Sequence, residues 1–278
     1  MATLGSLRTY TRMINILRKA FDAPEGDLEF LKDSQKVIDW IESSKYALNS
    51  KKAIYIAVVG TLKTLDYDIT LYRSQMDKHN RQISDNYNDQ VLSVAEAAKY
   101  LPWTTILDTV EKARASTSDV WTLQEYLILC LYTMLPPVRL DYGDMLVCDS
   151  EPPKLEGNYL ILSKKPYFLF SDYKTFKTYG VIRTPIPRGL LDVIYKWLPF
   201  TDTHLLLDRS GDPLSGIQLG QLLISIFQKH CDKNVGVSIL RHSYISFVRG
   251  SELPIKKSDA LARQMHHSPK MSQQYRKL

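Results

Sequence analysis

The sequence predicts a mainly α-helical chain with a small antiparallel sheet, an α+β fold divided into two domains. Apolar residues recur at helical spacing through most of the 278 residues. The period changes only at residues 159–187, where apolar runs of strand length are separated by turn residues. A polar segment at residues 79–91, poor in aliphatic side chains, is interpreted as a linker. We therefore predict one domain at residues 1–90 and a second at residues 91–278.

The first domain is predicted to be a small helical bundle. Residues 7–21 favour one helix, and residues 65–76 favour another. Between them, two sets of apolar side chains each share a helical face: Val37, Trp40 and Ile41, then Ile54, Val58 and Leu62. A bundle of this kind suits a structural or dimerisation role as well as it suits DNA binding.

The second domain begins with a helical hairpin pattern and then changes period. Thr122 and Glu125 have the spacing of a capping box ahead of an apolar helix, which the pair Pro136–Pro137 ends. The runs YLIL, YFLF and GVIRTPIP follow as predicted strands, with turn residues between the last two. Further helices are predicted at residues 190–197, 216–229, 239–249 and 258–266, and at a final short segment that begins at Ser268.

Positive charge is concentrated toward the C-terminus. The net charge is +6, with 14 basic and 13 acidic side chains in residues 1–100 and 22 against 17 in the remainder. Residues 241–278 alone carry eight basic side chains and two acidic ones. This distribution favours an anionic partner for the second domain.

Several classes of protein are excluded by the sequence. The three cysteines are widely spaced with no CxxC pair, so neither a zinc site nor a disulfide framework is predicted, and a reducing compartment fits. The first residues lack the apolar core of a signal peptide, and no run of eighteen apolar residues occurs. We therefore expect no contact with a membrane.

Two arginines stand on or beside strongly apolar helices. Arg241 shares a helical face with Ile245 and Val248, and Arg139 directly follows the helix that the prolines end. A buried guanidinium needs an anion, because an unpaired buried charge costs several kcal/mol. A structural ion pair satisfies that need as well as a phosphate does. With Tyr275 near the end of the chain, the pair favours a site where an anion is attacked.

In their order along the chain these residues resemble the tyrosine recombinases, or phage integrases. Arg139 and Arg241 fall at the two arginines of that family. Lys174, in the segment DYKTFKTYG, falls at its hairpin lysine, with Lys177 as the alternative. The resemblance covers about residues 103–277, and the helical first domain is similar to the family's core-binding, DNA-clamping domain.

The remaining matches lie at the end of the chain. Tyr275 falls at the nucleophile of the family, and the usual gap of nine residues before it selects His266. His267 is the alternative, because its pairing with Ser268 is similar to another common form of the motif. The resemblance therefore implies a catalytic set of Arg139, Lys174, Arg241, His266 and Tyr275.

The sequence departs from the family at Ser238. The family has H-x-x-R, whereas Ser238 here occupies the histidine position before Arg241. Serine carries no charge, so proton handling is expected to shift to Lys174 and a neighbour such as His242.

The resemblance implies a site-specific DNA recombinase or integrase that cleaves and rejoins strands through a 3′-phosphotyrosine link. The expected partners are double-stranded DNA and further copies of the chain, as a dimer or tetramer, and no cofactor is expected. DNA contacts are assigned to Lys256, Lys257 and Lys270, which are otherwise ordinary surface lysines. A type IB topoisomerase activity and a catalytically inactive DNA-binding protein are the alternatives.

Two runs of sequence most resemble integrases of giant DNA viruses and their virophages: LQEYLILCLYTMLPPVRLDYGDM and YKTFKTYG. That affinity implies viral genome integration and an intracellular location at the DNA, in the nucleus or viral factory of a host cell.

Overall fold

A computed structural model of the chain describes residues 4–89, 92, 94–249 and 255–266. The contacts divide the chain into two compact units, Met1–Asp89 and Gln90–Leu278, called here the N-terminal and C-terminal units. The functional assignment of the first domain to DNA clamping stays a prediction.

The N-terminal unit is helical, as its periodicity predicts. Its described helices are α1 (Leu4–Ala20), α2 (Ser34–Ser43), α3 (Leu48–Lys63) and α4 (Thr70–Asn88), with a 3-10 turn at Glu29–Lys32. The apolar faces of these helices enclose one core, whose fully buried members include Leu17, Leu31, Val37, Ile41, Tyr55, Val58 and Tyr72.

The predicted linker at residues 79–91 is wrong for most of its length. Helix α4 runs through it to Asn88. Tyr72, His79 and Ile83 are buried along one face at helical spacing. His79 is retained in the core because its Nε2 lies 2.7 Å from Glu42 Oε1. The segment is polar overall, yet its described residues include the buried His79 and Ile83.

The C-terminal unit combines further helices with a small sheet. Its described helices are α5 (Val94–Ala97), α6 (Trp103–Ala115), α7 (Val120–Thr133), α8 (Phe176–Tyr179), α9 (Arg188–Trp197), α10 (Gly216–Cys231), α11 (Val237–Arg249) and α12 (Ile255–Gln264), with a 3-10 turn at Leu198–Phe200. The capping box of α7 is formed by Asp119 and Thr122, so Thr122 is its third residue rather than the predicted cap.

The sheet has the order β1-β2-β3-β4 and is mixed. Its strands are β1 (Leu146–Cys148), β2 (Tyr159–Ile161), β3 (Tyr167–Phe170) and β4 (Ile182–Pro185). The last three pair antiparallel in the order predicted. Strand β1, which pairs parallel with β2, was not predicted from the sequence. The strand has three half-buried residues and shows no alternation, so it leaves no periodic signal.

The core of the C-terminal unit lies between the sheet and helices α6, α7, α9 and α10. Its largest fully buried side chains include Tyr132, Tyr142, Phe168, Phe170, Trp197 and Phe227. The mainly α fold with one small sheet is therefore confirmed. Among the residues that the structure describes, no helix combines the length and apolar character needed to cross a membrane.

Candidate functional site

The two predicted arginines meet at the C-terminal end of α12. Arg241, on α11, is 1% exposed. Its Nη1 donates to Pro137 O at 2.8 Å, and its Nη2 donates to Met265 O at 3.1 Å. The guanidinium therefore joins the segment that follows α7 to the last turn of the described chain.

Arg139 reaches the same helix end from the other side. Its backbone is held by Tyr132, whose hydroxyl donates to Arg139 O at 2.7 Å. Its half-buried side chain donates from Nη1 to His266 O at 3.2 Å. A helix C-terminus carries partial negative charge, so two guanidinium groups stabilise this one. Toward the described residues Arg139 uses a single N–H of its five, which leaves it donors for an anion.

His266 lies at the centre of the site. Its side chain is fully buried, and its Nδ1 lies 3.1 Å from Asp141 Oδ2. The rings of Phe170 and Tyr173 pack against the imidazole, each with its centroid 4.5 Å away. The Nε2 atom has no hydrogen-bond partner within the described residues. A carboxylate on one ring nitrogen orients the imidazole and leaves the other nitrogen for chemistry.

The predicted lysine lies in the turn between β3 and β4. Lys174 and Lys177 are both exposed, and Lys177 is on α8. The neighbours of Lys174 are fixed, because the Thr175 hydroxyl donates to His266 O at 2.7 Å and the Tyr173 hydroxyl donates to Gly180 O at 2.7 Å. The turn that carries Lys174 is thereby tied to the end of α12.

A buried asparagine holds the start of that turn. Asn158 Nδ2 donates to Asp141 O at 2.9 Å and to Asp172 O at 2.8 Å. Its Oδ1 accepts from the backbone N–H groups of Ser171 and Asp172. One amide therefore connects the segment of Asp141, which holds His266, to the turn that presents Lys174.

Two further sequence candidates lie elsewhere on α11. Ser238 is exposed at the first turn of the helix. His242 is buried, with its Nε2 3.9 Å from Glu96 Oε1 on α5. His242 is therefore directed toward α5. The side chain that contacts the His266 imidazole at Nδ1 is Asp141 instead.

Three of the five remaining predicted residues, Tyr275, His267 and Lys270, lie outside the described residues. Lys256 and Lys257 lie in α12. The functional assignments of these five residues, like those of the other predicted site residues, stay predictions.

The described tyrosines near the arginines are structural. Tyr132, Tyr142 and Tyr173 each donate a hydroxyl hydrogen bond to a backbone carbonyl. Burial raises the pKa of all three phenols, to about 12 for Tyr173. A phenol that resists ionisation and is already bonded is a poor nucleophile at neutral pH.

Three residues of the candidate site, Asp141, Asn158 and Thr175, were not predicted from the sequence. Asp141 follows Arg139 by two residues, and a carboxylate so close to a predicted anion site was a usable signal. Asn158 and Thr175 act through hydrogen bonds to distant backbone carbonyls, and no spacing in the sequence indicates such contacts.

The assembled groups are suited to a phosphate diester. Guanidinium groups bind phosphate oxygens by charge-assisted hydrogen bonds. An imidazole paired with a carboxylate and a lysine on an anchored turn are groups that move protons. The basic C-terminal region adds a favourable field for an anion.

No profile of a known protein family matches the sequence, and no curated protein matches it. Solved structures do resemble the fold. The Tn1549 transposon integrase, in complex with circular intermediate DNA, is 12% identical with a TM-score of 0.59 over 100% of this chain and 90% of that chain. The XerH site-specific recombinase, in a post-cleavage complex with its palindromic difH substrate, is 15% identical with a TM-score of 0.60 over 99% and 76%. Its pre-cleavage complex gives the same identity and TM-score over 100% and 77%.

These neighbours are tyrosine recombinases and integrases, and the chain has the fold of their catalytic domain. At such low identity the likeness concerns the fold alone.

Proposed function

We propose that the chain is a site-specific DNA recombinase or integrase that cleaves and rejoins strands through a 3′-phosphotyrosine link. One observation carries the proposal: in this fold, Arg139, Arg241 and His266 converge on the end of α12. Arginines from two distant segments that donate to the backbone carbonyls of Met265 and His266, in a basic C-terminal region, form a site for one backbone phosphate.

The arginines stabilise the charge that develops on the phosphate. Arg139 is half-buried, with donors unused by the described residues, and binds the nonbridging oxygens. Arg241 is oriented by Pro137 O and Met265 O and supplies the second positive charge. Donors held in place before the reaction lower the barrier because they need no reorganisation when charge builds.

Protons are handled by two groups. Asp141 orients His266 through Nδ1. Nε2 then forms a hydrogen bond to the phosphate or accepts the proton of the phenol. Lys174 gives a proton to the departing 5′-oxygen. The pair of Asp141 and His266 provides the proton-handling group that Ser238 cannot.

Tyr275 supplies the nucleophile. The phenol passes its proton to Nε2 of His266 as its oxygen attacks phosphorus, the bond from phosphorus to the 5′-oxygen breaks, and the leaving oxygen takes the proton of Lys174. In the reverse step a 5′-hydroxyl returns its proton to Lys174 and attacks phosphorus, and the departing tyrosine oxygen regains its proton from His266. Tyr275 follows His266 by nine residues, a tether of at most about 30 Å, so the site is within its reach. The covalent link conserves the energy of the diester, so the reaction uses neither ATP nor a metal.

Double-stranded DNA is the proposed partner, bound chiefly through phosphate contacts to which Lys256, Lys257 and Lys270 contribute. Such binding weakens steeply with salt. Self-association on DNA brings two sites together for strand exchange. The affinity to integrases of giant viruses and virophages, with a location at the DNA of a host cell, belongs to the same proposal and rests on the sequence runs alone.

Trapping on nicked suicide duplexes tests the chemistry. A pool of such duplexes, made from the DNA that surrounds the coding sequence, is incubated with the chain, and covalent complexes are recovered under denaturing conditions. We expect Tyr275→Phe to abolish the complex and to leave DNA binding intact. Tyr195→Phe is the matched control, because Tyr195 is a 50% exposed tyrosine on α9.

The outcomes separate the alternatives. Covalent complexes that persist in Tyr275→Phe would reject the nucleophile. DNA binding without any covalent complex would indicate an inactive protein of this fold. Covalent complexes with supercoil relaxation, but without exchange between two sites, would indicate a topoisomerase.

A further inference from the structure

Both chain neighbours of Lys174 contact the same residue. The Tyr173 ring packs on the His266 imidazole with centroids 4.5 Å apart, and Thr175 Oγ1 donates to His266 O at 2.7 Å. The Lys174 side chain is exposed. The backbone of this lysine is thus fixed relative to His266, whereas its side chain is exposed to solvent.

The carbonyl that accepts the Thr175 hydrogen bond is shared with Arg139. His266 O also accepts from Arg139 Nη1 at 3.2 Å. One carbonyl therefore fixes the distance between the turn that carries Lys174 and the guanidinium of Arg139. The start of the turn is held independently by Asn158. The Thr175 hydroxyl is therefore not needed to form the turn, and it sets the position of the turn relative to the end of α12.

We propose that Thr175 is a positioning residue that sets Lys174 for protonation of the leaving 5′-oxygen. The inference rests on the proposed function of Lys174. Loss of the hydroxyl leaves the lysine and its charge in place and releases the turn from α12. The effect is therefore confined to the step in which the lysine acts.

The test compares two leaving groups in Thr175→Val. A 5′-bridging sulfur leaves as a thiolate, and a thiol, with a pKa of about 8.5, needs no proton donor to depart. We expect Thr175→Val to slow covalent-complex formation about tenfold to a hundredfold on the oxygen substrate, as for a general acid out of position. On the sulfur substrate the rate should match that of the wild type. Thr175→Ser, which keeps the hydroxyl, should restore the rate on oxygen.

Matched variants sharpen the comparison. Lys174→Ala should show the same selective loss, and adding Thr175→Val to it should have no further effect, since both changes remove one function. Thr178→Val is the control for the substitution itself, because Thr178 is exposed on α8 nearby. It should react at the wild-type rate on both substrates.

The experiment distinguishes failure of the positioning role from failure of the proposed function. An equal loss on oxygen and sulfur, or an unchanged rate on both, would overturn the positioning role while the wild-type reaction stands. A wild-type chain that forms no covalent complex with either substrate would overturn the proposed function and the positioning role with it.

Discussion

Arg139 and Arg241 donate to consecutive backbone carbonyls, those of His266 at 3.2 Å and Met265 at 3.1 Å. The two guanidinium groups therefore donate to neighbouring carbonyls at one helix end, although they come from separate segments. Because these carbonyls directly follow α12, both arginines hold the C-terminal end of that helix.

Removal of Arg241 is expected to destabilise the C-terminal unit. Arg241→Met leaves Pro137 O and Met265 O without this donor, which costs about 2–4 kcal/mol for two buried carbonyls. Urea-induced unfolding measures the change. Arg114→Met is the control, because Arg114 is exposed and pairs only with Glu111 nearby on the same helix. Equal midpoints for the two variants would show that the buried contacts contribute nothing.

Asp141→Asn keeps the shape of the side chain and removes its charge. We expect covalent-complex formation to slow about a hundredfold, because His266 loses the carboxylate that holds its Nδ1. Single-turnover trapping on a suicide duplex measures the rate, and binding to the same duplex should be retained. Asp149→Asn, at an exposed position after β1, is the matched control. A wild-type rate in Asp141→Asn would remove this carboxylate from the mechanism.

Gly143→Ala is expected to disturb the segment that carries Arg139. A Cβ at Gly143 would lie 2.4 Å from Gly216 N and 2.5 Å from Gly216 Cα. These are backbone atoms at the start of α10, so the segment must move, at a cost of about 1–3 kcal/mol. Both the unfolding midpoint and the trapping rate should fall. A Cβ at Gly157 meets no atom within 4 Å, so Gly157→Ala should change neither.

Alkaline pH is expected to destabilise the C-terminal unit. Burial raises the pKa of Tyr173 to about 12, whereas an unfolded tyrosine has a pKa of about 10. Between these values the folded chain keeps a proton that the unfolded chain has lost, so the free energy of unfolding falls as the pH rises. The contribution is complete below pH 10 and is lost through pH 12.

Urea unfolding across this pH range measures the decline. Tyr173→Phe should show a shallower decline than the wild type, since one titrating group is gone. Tyr195→Phe, at an exposed position, should follow the wild type. A Tyr173→Phe slope as steep as that of the wild type would contradict the prediction.

The helices were predictable because burial imposes a period on the sequence. Leu127 and Leu131 are fully buried on α7, and Ile54 and Val58 on α3, at the spacing that indicated those helices. Prediction failed where a polar residue is buried in the core, as at His79, which is paired with Glu42 inside the N-terminal unit. It failed again at β1, whose three residues are too few to show a period.

The site was predictable only in part, for a related reason. The arginines stand out because charged groups on apolar patterns need partners, whereas His266 was selected by the family's gap of nine residues before Tyr275. Thr175 does not stand out, since its contact is with a residue far along the chain. Hydrogen bonds to backbone carbonyls, such as that of Thr175 to His266 O, place no demand on residue type at the accepting end.

The reliance on His266 O has a consequence for synthesis. A ribosome adds this carbonyl 91 residues after Thr175 and 127 residues after Arg139, so both side chains are made long before their shared acceptor. A product that ends before α12 therefore lacks the carbonyls to which the two guanidinium groups donate.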